Sequence, residues 1–392
     1  MPLISASALR ESYLSPRPGP RTAALGLWAL RSIVVAVFAC VSASCSTLSF
    51  YGQAVAGQLS ILNHQQPTAE LIASPATAAR LRERLLKASD LVQFARDHLS
   101  LEPEERFSSY VRIDRDYVVW NVFATPEFST QATQWCYPIA GCASYRGYFK
   151  QRDARKFAQQ LIVRQHDTTV GGIAAYSTLG WFDDPLLSTF IDWPDAELAG
   201  LIFHELAHAR VFVSGDTAFN EAFASFVERR GVLQWLRAQH NEERIERVTA
   251  RWRTSDRFVA FLLQWRDELQ LLYDQPYNAD ARRLLKGELL AEIERCYRAN
   301  PDQFGDQDWF FRDGLNNARL VPLAAYNELV SGFAGLFVQA GESWPLFYTR
   351  VIALGASAVE PRTAELTRLG REQRAFERDA DSAPVLCTAL RF

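Results

Sequence analysis

Hydrophobic residues return along this chain with two different periods, and the changes of period mark out its elements. From Tyr51 to Asn63 and again from Thr77 to His98, apolar positions recur every three or four residues. That spacing predicts two helices, separated at Pro67 and Pro75. Between Phe107 and Ala124 the character changes. Tyr110–Ile113 and Tyr117–Phe123 are β-branched and aromatic, and Asp114-Arg115-Asp116 joins them, which predicts a hairpin. Residues 125–149 read as loop and Asp153–Gln165 as helix. Thr168–Ser177 reads as a third strand, in which Gly171-Gly172 marks a bulge or a close backbone approach. From Pro194 the pattern is helical almost to the end, with breaks near Gly215, Pro276, Pro301–Gly314, Gly341 and Pro361. The predicted class is α+β, mostly helical, with one small antiparallel sheet.

Composition narrows the function. Hydrophobic residues make up 48% of the 392 and charged residues 22%, enough apolar material for a large core and far from a disordered chain. The formal net charge of -3 provides no basic face, so no nucleic-acid partner is expected.

The N-terminus reads as an export signal rather than part of the fold. Arg10, Arg17, Arg21 and Arg31 precede an apolar run, Ser32–Val41, that exits through Ser42-Ala43-Ser44 to Cys45. The alternative is a membrane-spanning anchor, for which the uncharged stretch after Arg31 is short. Cysteine directly after small residues is similar to a lipoprotein processing site, with Cys45 lipidated and Cys40 the second choice. Ser46 rather than Asp after it implies sorting to the outer membrane in such lipoproteins. The expected organisation is therefore a signal peptide over 1–44, an N-terminal helical segment over 45–105, a sheet-and-helix catalytic region over 106–238 and a C-terminal helical region over 239–392. The expected location is the periplasm, with a lipid anchor holding the chain to the membrane.

Export also changes how cysteines read. Removing 1–44 leaves, besides Cys45, four cysteines, an even set in an oxidising compartment. Cys136 and Cys142 flank the turn-rich Tyr137-Pro138-Ile139-Ala140-Gly141 and are expected to form a disulfide; Cys296 and Cys387 are the second candidate pair.

The decisive chemistry lies in His204-Glu205-Leu206-Ala207-His208, on a helix opened by Pro194 with Asp195 and Glu197 in its first turn. Residues four apart sit one helical turn above each other, so the two imidazoles share a face and can converge on one zinc ion. Glu205, beside the first ligand, is placed to reach the open coordination position instead of the metal. The bland reading is two ordinary helix histidines. A third donor argues against it: Gly215 ends the helix, Asp216-Thr217 can cap a second, and so tight a turn brings Glu221 back alongside the histidines. Glu228, seven residues on along the same face, can accept a proton from a ligand imidazole and fix its tautomer.

Asn220-Glu221-Ala222-Phe223-Ala224 resembles the segment that supplies the third zinc ligand in the gluzincin aminopeptidases, which also carry a structural Glu at the position of Glu228. Only twelve residues separate His208 from Glu221 here, fewer than in those enzymes. A closer resemblance is to a family of bacterial lipoproteins described as aminopeptidases. It rests on Cys45-Ser46-Thr47 with Tyr51–Leu59, on Trp120–Ala124, on Trp135-Cys136 through Cys142–Phe149, on Asp216–Glu228 and on Asn316–Leu320. The resemblance implies a zincin-like fold, with the sheet beside the helix that carries the motif, and aminopeptidase activity.

The reading that follows is a zinc peptidase in which Glu205 is general base and Tyr326 the first candidate donor to the oxyanion, with Tyr145, Arg146 and Tyr176 as alternatives. Asn121, on the strand Trp120–Phe123, belongs to a candidate edge for pairing an extended peptide substrate, as does Ile173–Thr178. Glu127, Asp183 and Asp184 are candidate carboxylates for a free α-amine. The competing class is a non-catalytic lipoprotein scaffold with structural zinc.

Overall fold

The structure, a computed structural model, describes residues 50–137, 141–175, 184–327 and 329–377, without the side chains of 141, 324–327 and 374–377. Residues 50–63 form helix α1. In chain order there follow β1 (Gln66–Pro67), α2 (Thr68–Ala73), α3 (Ala79–Leu99), β2 (Ser109–Val111), β3 (Val119–Pro126), β4 (Trp135–Tyr137), β5 (Gly141–Ala143), β6 (Arg146–Tyr148), α4 (Gln151–Ile162), β7 (His166–Ile173), β8 (Leu186–Leu187), α5 (Asp195–Arg210), α6 (Thr217–Ala238), α7 (Glu242–Asp274), α8 (Ala279–Ala299), α9 (Pro301–Phe304), α10 (Asp308–Phe311), α11 (Asn317–Asn327), α12 (Val330–Gln339), α13 (Trp344–Gly355) and α14 (Val359–Glu377). The chain divides into one unit ending at Ala56, described only in the first turns of α1, and a second from Gly57 onward that holds everything else below. Among the described residues no helix is long and apolar enough to cross a membrane.

The α+β, mostly helical class is as predicted, but the strands are arranged differently. Among the described residues three small sheets stand in place of one, with orders β1-β2-β8, β6-β3-β7 and β4-β5. The expected hairpin between Tyr110–Ile113 and Tyr117–Phe123 does not form. β2 pairs antiparallel with β1 and parallel with β8, whereas β3 pairs antiparallel with β6 and β7. The linker explains the split. Asp114-Arg115-Asp116 has no glycine to follow an Asp as tight hairpin turns favour, and the Arg115 guanidinium instead donates to the carbonyls of Tyr117 and Val118. Ser188 then extends the β2–β8 edge by bonding both the N–H and the carbonyl of Ile113. The segment read as loop over 125–149 holds β4, β5 and β6. Gly171-Gly172 sits in unbroken register with Asn121 and Trp120, so no bulge occurs. The close-approach reading is the right one: a Cβ on Gly172 would run into the Tyr117 ring.

The main core joins α3, β2, β8, α5 and α6 to α12, α13 and α14, through residues such as Leu85, Leu91, Phe203, Phe223, Phe333 and Phe347. Small residues let its helices close up. A Cβ on Gly231 of α6 would meet Leu99 and Phe203, each at 2.8 Å, and one on Gly332 of α12 would strike the Leu366 carbonyl of α14. A second core of aromatics in mostly edge-to-face and tilted contact, Phe258, Phe261, Tyr297, Phe304 and Phe311 among them, joins α7 and α8 to α9, α10 and α11.

A buried polar network ties this second core to the end of the β3–β7 ladder. Lys286 of α8 donates to Asp167 Oδ2 (2.7 Å) and to the Glu127 carbonyl (2.8 Å). The Asn317 N–H bonds the same Asp167 oxygen, its Nδ2 bonds the Glu127 carbonyl, and Tyr273 donates to its Oδ1. Lys286 and Asp167 are 10% and 16% exposed at the side chain, so removing one leaves the other's charge with little water. Lys286→Met is expected to destabilise the chain by about 3 kcal/mol, read as a lower denaturant midpoint with an unchanged slope. A midpoint within error of the unaltered chain would show the network to be energetically idle.

Candidate metal centre

The α5–α6 pair builds the site, and each helix is fixed by identifiable bonds. Arg84 of α3 ties down the approach to α5, donating to the carbonyls of Ile191 (2.8 Å) and Trp193 (2.6 Å) and pairing with Asp195 (2.6 Å), the first residue of the helix. Leu198, Ile202, Phe203, Leu206 and Ala207 bury α5 in the main core. The turn into α6 is clamped by Asn220, whose Oδ1 accepts from the Val213 N–H and whose Nδ2 donates to the Val213 carbonyl, both at 2.8 Å. Asp216 caps α6 by accepting from the Phe219 N–H at 3.0 Å.

That turn brings three donor atoms together. His204 Nε2 and His208 Nε2 are 3.1 Å apart, and Glu221 Oε2 lies 3.4 Å from the first and 3.7 Å from the second. Three donors about 2.0–2.1 Å from a tetrahedral ion would stand about 3.3–3.4 Å from one another. The triangle fits that requirement, and His204, His208 and Glu221 form a group able to hold a metal ion. His204 Nδ1 is 3.0 Å from Glu228 Oε2. Donation there leaves the Nε2 lone pair facing the other two donors. Gly200, one turn before His204, makes room for that carboxylate: a Cβ there would lie 3.1 Å from Glu228 Oε1 and 3.3 Å from its Cγ.

Glu205 is partly exposed as a residue, but its Oε2 is sealed from solvent and has no hydrogen-bond partner among the described residues. A buried oxygen that the described residues leave without a partner thus lies beside three convergent donors. Burial pushes the Glu205 carboxyl above its ordinary range; the two imidazoles oppose this, and Asp184 and Glu221 add to it. His208 Nδ1 likewise is buried without a described partner.

Charge couples the three donors. Burial disfavours the His204 imidazolium, yet hydrogen bonds to Glu221 and Glu228 outweigh it and hold His204 well above 6.5. Burial also disfavours the Glu221 anion, and His204 and His208 outweigh it, keeping that carboxyl far below 4.5.

The other expected site residues differ in their surroundings. Asn121 is buried on β3, the middle strand of its sheet, with Oδ1 against Gly147 of β6; the stretch Trp120–Val122 is paired on both sides and offers no edge. Tyr145 packs on Phe123, and Arg146 lies 4.6 Å over the Phe157 ring of α4. Glu127 is committed to Arg283 by two hydrogen bonds of 2.6 and 2.9 Å, which removes it as an amine-binding group. Asp184 is buried and acts electrostatically on Glu205. Cys136 and Cys142 face each other across β4–β5 and are joined by a disulfide. Cys45, Tyr176, Asp183, Cys387 and the side chain of Tyr326 lie outside the described residues.

Asn220, Gly200 and Arg84 contribute to the site without having been singled out as functional. Asn220 had a visible signal, four residues past the capping Asp216. Gly200 and Arg84 had none, because their roles depend on helices packed from far along the chain.

An α+β protein with such a triad on adjoining helices falls in the class that could hold a metal ion. The particular family is also identified: residues 49–366 match the protein-family model described as "Putative aminopeptidase", and the chain belongs to that family. Comparison with curated proteins and with solved structures produced no match.

Two outcomes are expected. Gly200→Ala should crowd Glu228 away from His204 and weaken divalent-metal affinity about ten-fold by chelator competition, while the metal-free chain gains up to about 1 kcal/mol from the better helix former. Unchanged affinity would mean that Glu228 does not orient the ligand. For pH, the raised His204 stabilises the metal-free fold below 6.5 and ceases to as pH climbs through its folded value. The depressed Glu221 stabilises it above 4.5 and ceases to as pH falls toward its folded value. Chelator-treated protein should therefore melt highest between pH 4.5 and 6.5, with metal affinity falling on acidification because binding must displace the proton. A melting temperature that keeps rising above neutral pH would contradict this.

Proposed function

We propose that this chain is a zinc-dependent peptidase, of aminopeptidase type, working on peptides in the periplasm. The observation that carries this reading is the 3.1, 3.4 and 3.7 Å triangle of His204, His208 and Glu221, with the sealed Glu205 carboxylate next to it. Family membership supports the peptidase class. Two imidazoles and one carboxylate are a donor set suited to catalytic zinc, which keeps a fourth position open. A zinc ion held there would supply Lewis acidity to a peptide carbonyl and make water a nucleophile at neutral pH.

The chain's own residues account for the rest. Glu205 takes a proton from the attacking water and delivers it to the departing amine, and burial raises its carboxyl toward the range such a shuttle needs. Glu228 holds the His204 ring through Nδ1. Tyr326 is assigned as donor to the developing oxyanion; its helix α11 packs on α6, which carries Glu221. β7 is an edge strand of its sheet among the described residues, and its outer side is where an extended peptide would pair. Asp183 and Asp184 remain the candidate carboxylates for an α-amine once Glu127 is bound to Arg283. A structural zinc site has no use for an unpaired carboxylate beside its ligands, so Glu205 also argues against the scaffold reading. Export and lipidation at Cys45, with sorting to the outer membrane, are part of this proposal and rest on the sequence Ser42-Ala43-Ser44-Cys45-Ser46.

Glu205→Gln tests the chemistry. The variant is expected to keep one zinc per chain and to melt no lower than the parent, while turnover of aminoacyl fluorogenic substrates falls about a thousand-fold. Undiminished turnover would remove Glu205 as the base. Internally quenched peptides, run beside the aminoacyl substrates, would show cleavage inside the peptide if the activity is endopeptidase instead.

A further inference from the structure

The start of α6 is held from outside by one guanidinium that the proposed chemistry does not use. Arg362, in the first turns of α14, is 5% exposed. Its Nε and Nη2 both reach Asp216 Oδ2, at 2.7 and 2.6 Å. Its Nη1 donates to the carbonyls of Gly355 and Ser357, each at 3.0 Å, at the C-terminal end of α13. The Phe219 ring lies 5.5 Å from the guanidinium carbon. The other oxygen of Asp216 caps α6, and Asp216 too is nearly enclosed, with 11% of its side chain exposed. One planar cation thus joins the end of α13, the start of α14 and the cap of the helix whose fifth residue is Glu221.

Stability alone does not call for such a group. A buried ion pair is often no more stabilising than an apolar replacement of the same shape, because desolvation offsets the attraction. What the fork supplies is direction, since its donors point along fixed lines. Asn220, one residue before the ligand, is meanwhile bonded to Val213 in the turn. Helix α6 is therefore fixed at Asp216 from α14 and at Asn220 from the turn, with Glu221 immediately beyond.

We infer that Arg362 is a positioning residue for the metal centre, setting the placement of α6 through Asp216 so that Glu221 meets the two histidines. The inference rests on the zinc reading above. Zinc affinity by chelator competition, and the visible spectrum of the cobalt-loaded protein, test it without reference to turnover. Arg362→Lys keeps the charge and loses the fork. Asp216→Asn keeps the helix cap and loses the charge pair. Each is expected to weaken zinc binding roughly ten- to a hundred-fold and to alter the cobalt spectrum, with helix content unchanged by circular dichroism. Tyr297→Phe, which removes the hydroxyl that bonds Asp308 and the Gln307 N–H in the second core, should lower the melting temperature and leave zinc affinity alone. Parent-like affinity and spectra in both site variants overturn the inference. So does a loss of affinity in Tyr297→Phe as large as theirs, which would make binding a measure of general stability. If Arg362→Lys fails to fold, Asp216→Asn decides by the same criteria. An unaltered chain that binds no zinc would overturn the zinc reading itself; tight binding by the parent and both variants overturns this inference alone.

Discussion

The contact between α5 and α6 is the constraint on which the rest of the molecule turns. Two imidazoles on one helix cannot by themselves close a three-donor site; the third donor must come from a second helix lying close enough for a short carboxylate to reach. Gly231 permits that approach, leaving only 2.8 Å between the site of an absent Cβ and the side chains of Leu99 and Phe203. The cost of gathering His204, His208, Glu221, Glu205 and Glu228 into one partly enclosed region is electrostatic. The surrounding apolar packing supplies the rigidity that keeps them there, with Phe223 and Phe203 fully enclosed on either helix.

The polar groups around the pair divide into two sorts. Arg84 with Asp195, Asn220 with Val213, and Arg362 with Asp216 satisfy one another and set where the helices begin and turn. Glu205 Oε2 and His208 Nδ1 are left unsatisfied by the described residues. Both lie at the candidate donor cluster, where Glu205 neighbours His204 and His208 is itself one of the three donors.

Much of the site was legible because its signal is local. Spacing of four on a helix, a glycine-bearing turn and a capping Asp are short-range features, and they led directly to His204, His208 and Glu221, although the first helix ends at Arg210 and not at Gly215. The sheets were not legible in the same way. Tyr110–Ile113 and Tyr117–Phe123 have strand character and are neighbours in sequence, but their partners, Leu186–Leu187 and His166–Ile173, lie tens of residues further on. Local alternation reports that a segment is extended, not what it pairs with. Glu127 fails for a related reason: by residue type it was a fair amine-binding candidate, and only the arrival of Arg283, 156 residues later, commits it elsewhere. Asn121 was read as lying on an open edge and is instead interior to its sheet. Charge and strand character are written locally; partners are not.

The most direct test of the account is anomalous diffraction from a crystal of the zinc-loaded protein, recorded at the zinc edge. One strong peak is predicted, about 2.0–2.2 Å from His204 Nε2, His208 Nε2 and a Glu221 oxygen, with Glu205 outside bonding distance. No peak at that position, or a peak bonded to Glu205 in place of Glu221, would contradict it.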